Sequence, residues 1–397
     1  MIFIIEVNQG KTDKKLEKSS SNHNSMKNLF VAIIFSLLLL SCGSKLSESE
    51  LNPEIVKISI PITSDQLSSY QVVNSYAESG SNKLIAYNGS RHSLDYFDLE
   101  NSKVIRSEKL DKEGPNGIGA VESVYWHNAD SIFIFEKGKI QIIKEGGQKV
   151  NSIDLYDLFT GKNLGEPVCN FYFKLKFFQK EKLIYFSLIH HGLSLQERAS
   201  IPLVAAVNIE NLTVQALPIT HTDHYKKVKG NVGFITYLGF QDFLRDQMVY
   251  NFQYESTIFS QNVVNQEKLE SEVHEMKFTP ELPELENIDQ HAIDNPHFLT
   301  PIPDNYRNLV YRGIWDSPDI SLPESGFTEK KISIAVFDSD LNFISNYELP
   351  NYTYQINNWF VNENGLYLNY AHPRNEKVSE DFLVFHVFQF DQANDQK

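Results

Sequence analysis

GAVESVYWHNADSIFIFEKGKIQIIKEGGQKVNSIDL, residues 119–155, contains four β-rich runs separated by turn residues. The runs are Ala120–Trp126, Ser131–Phe135, Lys139–Ile143 and Lys149–Leu155, and the breaks are 127–130, Lys137-Gly138 and 145–148. Glycine at two of these breaks supplies the positive φ that tight hairpins require. Four strands joined by hairpins within so short a stretch make one blade of a β-propeller.

The same rhythm recurs with poorer spacing on both sides. Residues 70–110 give a blade ending in Ser93–Leu99 and Lys103–Leu110, and residues 169–219 one with Lys182–Ile189, Leu203–Ile209 and Leu212–Ile219. Residues 232–276 contain Met248–Tyr254 and Thr257–Val264; residues 289–349 end in Ile332–Asp338 and Asn342–Leu349. The last group, 354–390, has only three strands, Tyr354–Val361, Gly365–Tyr370 and Phe382–Phe390. Glu54–Ile60 alternates well and stands alone before the first full blade. Pairing it with Phe382–Phe390 closes the ring and removes both exposed edges. The expected fold is therefore all-β: a single six-bladed β-propeller over residues 53–392. A β-sandwich or a two-domain β protein is the competing architecture.

The N-terminus reads as an address. Met26-Lys27-Asn28 precedes an apolar run, Leu29–Leu40, and Leu39-Leu40-Ser41-Cys42 forms a lipobox. The run is too short for an ordinary transmembrane helix and suits a secretory signal. Residues 1–41 are expected to be a signal peptide whose true start is Met26. Cys42 is the expected lipidation site, and 43–52 (GSKLSESELN) a polar tether. With Cys42 acylated, the other cysteine, Cys169, has no partner, and its aromatic neighbours predict a buried, inert thiol.

The 397 residues carry 36 Lys plus Arg against 51 Asp plus Glu, a net charge of -15. That balance argues against a nucleic-acid partner, which needs a basic footprint. Two cysteines also rule out a disulfide scaffold or a zinc site built on several thiolates.

The lipobox at Cys42, the loop Glu113-Gly-Pro-Asn-Gly-Ile-Gly119 and the following Asp130–Ile134 together resemble a Bacteroidetes lipoprotein family, domain of unknown function 4221, related to TolB-like six-bladed propellers. The motifs are sharpest in 111–155. The resemblance implies a lipid-anchored propeller in a Gram-negative envelope, at the outer membrane. Gly43 agrees, since the residue that commonly retains lipoproteins at the inner membrane is Asp. The family carries no established reaction, so no catalytic residue is assigned.

Other motifs have plain readings. The loop 113–119 lacks the Lys-Ser/Thr pair and helix of a phosphate cradle, and is expected to lead from one blade to the next. Asp338–Asn342 opens like a calcium loop, but Phe343 and Leu349 occupy the places of its Gly and Glu, so a hairpin turn is expected. His221-Thr-Asp-His224 and His190-His191 lack the helix and Glu of a zinc protease. No metal site and no cofactor is expected.

One pattern remains. In a propeller the loops joining second to third strands, and each blade to the next, emerge on one face. His92, His190, His191, His221, His224, His291, His297 and His372 all map there, with Arg91, Arg198, Arg312, Trp315 and Arg374 in or beside the same loops. Polar and aromatic groups converging at one mouth describe a ligand site. The candidate face is Arg91, His92, His190, His191, His221, His224, Trp315, His372 and Arg374. The expected function is a lipid-anchored binding module for an envelope protein or extracytoplasmic ligand. The alternative is an envelope hydrolase or lyase with His as base and a carboxylate partner at the channel mouth. A buried His–carboxylate pair in a deep pocket would favour the enzyme, a solvated face the binding module. Residues 277–300, rich in Pro and Glu, are expected to form an insertion carrying His291 and His297 toward that face.

Overall fold

The computed structural model describes residues 52–227, 238–265, 267–271, 294–318, 330–356 and 358–390. The expected signal peptide, Cys42, the expected tether up to Leu51 and most of the expected 277–300 insertion, His291 included, lie outside them.

Six antiparallel sheets form the six blades. A lone first strand, β1 (Glu54–Pro61), precedes blade 1, which is β2 (Val73–Glu78), β3 (Ser81–Asn88), β4 (Ser93–Asp98) and β5 (Lys103–Lys109). Blade 2 is β6 (Ser123–Asn128), β7 (Ser131–Glu136), β8 (Lys139–Ile143) and β9 (Lys149–Asp154). Blade 3 has a broken inner edge, β10 (Glu166–Val168) and β11 (Phe177–Phe178), then β12 (Leu183–Ile189), β13 (Val204–Asn208) and β14 (Val214–Leu217). Blade 4 is β15 (Leu238–Leu244), β16 (Gln247–Phe252), β17 (Ile258–Asn262) and β18 (Lys268–Ser271). Blade 5 also has a split inner edge, β19 (His297–Phe298) and β20 (Ile302–Asp304), before β21 (Leu309–Pro318), β22 (Lys330–Asp338) and β23 (Phe343–Glu348). Blade 6 is β24 (Phe360–Asn362), β25 (Gly365–Asn369) and β26 (Phe382–Gln389), and β1 supplies its fourth strand.

β1 pairs with β26 from Glu54 opposite Gln389 to Pro61 opposite Phe382, so the expected closure holds. Blade 2 follows the expected spacing because its turns are encoded locally. Lys137 and Gly138 take φ of 41° and 73° between β7 and β8, the left-handed pair of a two-residue hairpin. A side chain at Gly138 would also strike the Tyr156 ring, 2.4 Å from its Cβ position.

The apolar core is distributed between blades. Ile85, Leu94 and Tyr96 of blade 1 meet Val124, Trp126 and Ile134 of blade 2, and equivalent layers join the other neighbours. Middle strands such as β4 are buried throughout, whereas the outermost strand β5 alternates between exposed and half-buried residues. A strand covered on both faces reads as an apolar run, and one covered on a single face alternates.

Residues 110–122 connect blade 1 to blade 2. Asp338 Oδ1 accepts from the amides of Asp340 and Asn342, building the turn before β23. Cys169 is fully buried, with its Sγ 3.7 Å from the Tyr185 carbonyl, and burial raises its thiol pKa.

Candidate functional site

The loop face carries most of the predicted residues, and their side chains divide into three groups. In blade 1, His92 is buried, with Nδ1 2.8 Å from Tyr87 Oη and Nε2 2.9 Å from the Ile118 carbonyl. It pins the 110–122 connection to the β3–β4 turn, and so presents no ring nitrogen to a ligand. Arg91 beside it is exposed and paired with Asp65. In blade 6, His372 is buried; its Nδ1 accepts from the Arg374 amide, and its ring lies 5.4 Å from that of Tyr352.

The third group spans blades 3 to 5, and here the residues do come together. Helix α1 (Leu155–Phe159) follows blade 2, α2 (Leu195–Arg198) lies between β12 and β13, and α3 (Asp223–Lys226) follows blade 3. His190 Nε2 lies 3.1 Å from the Pro202 carbonyl, and His191 Nε2 is 2.8 Å from Glu166 Oε2. His221 is buried against the rings of Tyr225 and Phe252, 5.6 Å from each. Burial, then the charges of Arg198, His190 and Lys226, push its pKa down to about 3. His224 meets Tyr225 edge-on, and burial lowers its pKa as well. Tyr225 Oη accepts from the Tyr254 amide, and the Tyr254 ring lies 5.7 Å from His297. His297 packs 4.8 Å from Trp315, over which Lys330 Nζ sits at 4.9 Å. A continuous chain of aromatic and basic groups therefore links three blades. His297 belongs to it as the first residue of β19, buried in the blade rather than carried on the expected insertion.

Arg312 anchors this chain. It is wholly buried, donates to the carbonyls of Glu255 and Ser256, and stacks 3.7 Å above the Phe298 ring. Burial brings its pKa down to about 9. Its planar fork holds the β16–β17 loop, a task that neither Met nor Lys matches. Arg312→Met is expected to cost about 2–5 kcal/mol in urea unfolding, because buried carbonyls lose their donors. A loss below about 1 kcal/mol, the worth of an ordinary hydrogen bond, would show that the loop holds itself.

Beside the chain lies a groove of about 640 Å³ between blades 3 and 4. Its rim carries Asp223 with Lys226 at 3.0 Å and Glu270 with Lys268 at 3.0 Å. Glu255 accepts from Thr222 Oγ1 at 2.8 Å, and burial raises the carboxyl pKa. The spacing of histidines in sequence did not point to this groove, because its charges come from three separate segments.

The channel mouth on this face is narrow. Phe171, Tyr172, Leu299, Ile356 and Trp359 leave a space of only about 30 Å³. That is roughly one water molecule. Gln241 Nε2 donates to the Trp359 carbonyl at 2.7 Å, tying blade 4 to blade 6 across the opening. The expected convergence of histidines on an open mouth is thus corrected: aromatic and aliphatic side chains line it, and His92, His221 and His297 are buried in the blade junctions. Among the described residues no group of three or more His, Cys, Asp or Glu is arranged to hold a metal ion.

The model of a domain of unknown function, DUF4221, matches residues 63–346, from the approach to blade 1 into the outer strand of blade 5. The chain belongs to the DUF4221 family. A crystal structure of a DUF4221 member from Bacteroides vulgatus is similar over 87% of this chain and 100% of that one, with a TM-score of 0.75 and 19% identity. A putative exported protein from Bacteroides fragilis is similar over 87% of this chain and 97% of that one, with a TM-score of 0.54 and 9% identity. At these identities the likeness is one of fold. No curated protein matches the chain.

Proposed function

We propose that this DUF4221 protein is an extracytoplasmic binding module, anchored at the outer membrane by lipid on Cys42. It presents the loop face of blades 3 to 5 to an envelope protein or an extracytoplasmic ligand. The observation that carries this reading is the groove between blades 3 and 4. Its rim of paired acids and bases stands on a framework fixed by Arg312 and the aromatic chain. Charged groups of both signs around a concavity suit the recognition of a polar ligand. The exported character of the Bacteroides fragilis neighbour is compatible with this address.

The enzyme alternative needed a His–carboxylate pair in a deep pocket. One His–carboxylate pair on this face, His191 with Glu166, is solvated, with side chains 72% and 36% exposed. His221, which does line the groove, has a pKa too low for a base near neutral pH.

A photo-crosslinking residue at exposed Asp223 on the groove rim is expected to capture envelope components in intact cells. The same residue at exposed Asn101, in a turn on the opposite face, is expected to capture few. Equal capture from both positions would remove the loop face as the binding surface.

A further inference from the structure

After Val168 the inner edge of blade 3 leaves its own sheet and runs parallel to β15 of the next blade. Phe240 N donates to Tyr172 O at 2.8 Å, and Lys174 N to Phe240 O at 2.9 Å, before the chain returns at Phe177. This detour carries Lys174 and Lys176 to the wall of the central channel. There they line a cavity of about 220 Å³ to which all six blades contribute. Asn82, Asn305 and Asn362, at or beside first-to-second-strand turns, also line it, so it faces the end of the ring opposite the histidine loops.

The charges on this wall do not cancel. Lys176 Nζ lies 2.6 Å from Asp242 Oδ2 and is balanced by it. Among the described residues, no hydrogen bond or ion pair reaches Lys174 Nζ, and the charge acting on it is that of Lys176. The other titratable groups on the wall, Tyr76 and Tyr306, have pKa values raised by burial and stay neutral near pH 7. An uncompensated ammonium in a narrow channel is costly unless something anionic sits beside it. Lys174 is half-buried on this wall; desolvation by the surrounding protein, then the charge of Lys176, bring its pKa down to about 8.

We propose that the channel is a binding site for a small organic monoanion, a carboxylate held by the Lys174 ammonium with its apolar body against Val73, Val124, Ile302 and Phe360. One point charge with apolar neighbours matches a carboxylate. A phosphate dianion favours a guanidinium fork, and no Arg is among the described residues that line the wall. The volume suits an aromatic or short aliphatic acid, since a cavity of roughly 150 Å³ already takes benzene. This site is separate from the loop-face groove, so either can fail without the other.

Calorimetry on the intact chain tests it with benzoate, its neutral isostere benzamide, and inorganic phosphate. Benzoate is expected to bind at millimolar concentration or better, with benzamide at least about tenfold weaker. Lys174→Met should weaken benzoate at least about tenfold, an effect worth one power of ten in Kd, whereas Lys174→Arg and the exposed-surface change Lys112→Met should retain it. Lys174→Met should melt no lower than the parent, because it removes an unbalanced charge; its loss of binding is then not a loss of fold. Raising the pH from about 7 to about 9 neutralises free Lys174 and should weaken benzoate about tenfold. The assignment is overturned by equal binding of benzamide, by unchanged binding to Lys174→Met, by phosphate binding in place of benzoate, or by no carboxylate binding at about 10 mM, where a weak small-molecule site still registers.

Discussion

A chain lacking Glu54–Pro61 is expected to lose cooperative thermal unfolding. Those residues are the fourth strand of blade 6, paired along their whole length with β26. Removing them exposes the hydrogen-bonding edge of β26, a template for pairing with another chain. It also takes away Ile60, which is wholly buried with Leu84 and Phe97 of blade 1 and Leu383 and Phe385 of blade 6. Ile60→Ala alone should cost about 2–5 kcal/mol, the usual range for truncating a buried aliphatic side chain. Total stabilities run to about 5–15 kcal/mol, so loss of the whole strand exceeds what the ring can absorb. Ile55→Lys is the control: Ile55 is 43% exposed, and the change should stay within about 0.5 kcal/mol. Circular dichroism melts read all three. A truncated chain that melts cooperatively at the parent's temperature would mean that five blades and a three-stranded sixth hold without closure.

Closure was legible because its signals are local. Glu54–Ile60 alternates and has no neighbour in sequence to pair with, and 354–390 is one strand short. Blade 2 was legible because Lys137-Gly138 fixes a hairpin within two residues. The inner edge of blade 3 was not. The expected blade began at residue 169, whereas its sheet begins with β10 at Glu166 and is interrupted by the detour to β15. An apolar run carries no record of which neighbour it pairs with, so a change of partner at Val168 leaves no local trace. Blade 5 is split for a more visible reason: Pro301, between β19 and β20, has no amide to give to the ladder.

At the candidate site, the sequence located histidines but not their exposure. His92 and His221 lie outside the strands, as expected, and both are buried. A signal was available in Tyr225, four residues after His221, whose ring stacks on that of His221 from within helix α3. The lysines of the channel carried a signal too. Lys174 and Lys176 alternate with Phe173, Leu175 and Phe177, so one side of an apolar segment had to meet water or a counter-charge.

Cys42→Ser is expected to remove the protein from the outer membrane and to abolish its acylation. On the proposed address, acyl chains on Cys42 are the anchor. Each buried methylene contributes roughly 0.8 kcal/mol, so one chain gives marginal binding and two or more hold a protein stably. No helix among the described residues is long and apolar enough to cross a membrane, and the apolar run Leu29–Leu40 precedes the expected cut. A serine hydroxyl cannot take the diacylglyceryl group as the cysteine thiolate does, and without that step the processing that exposes the amine for a further acyl chain does not follow. The variant should appear in the soluble fraction after osmotic shock, or stay at the inner membrane with its signal uncleaved, and in both cases it should fail to incorporate labelled palmitate. The propeller begins at Glu54, beyond the tether, so its melting temperature should match that of the parent. A Cys42→Ser protein that still reaches the outer membrane and resists an alkaline wash would mean that protein contacts hold it there, and the loop face of blades 3 to 5 would be the first surface to disrupt.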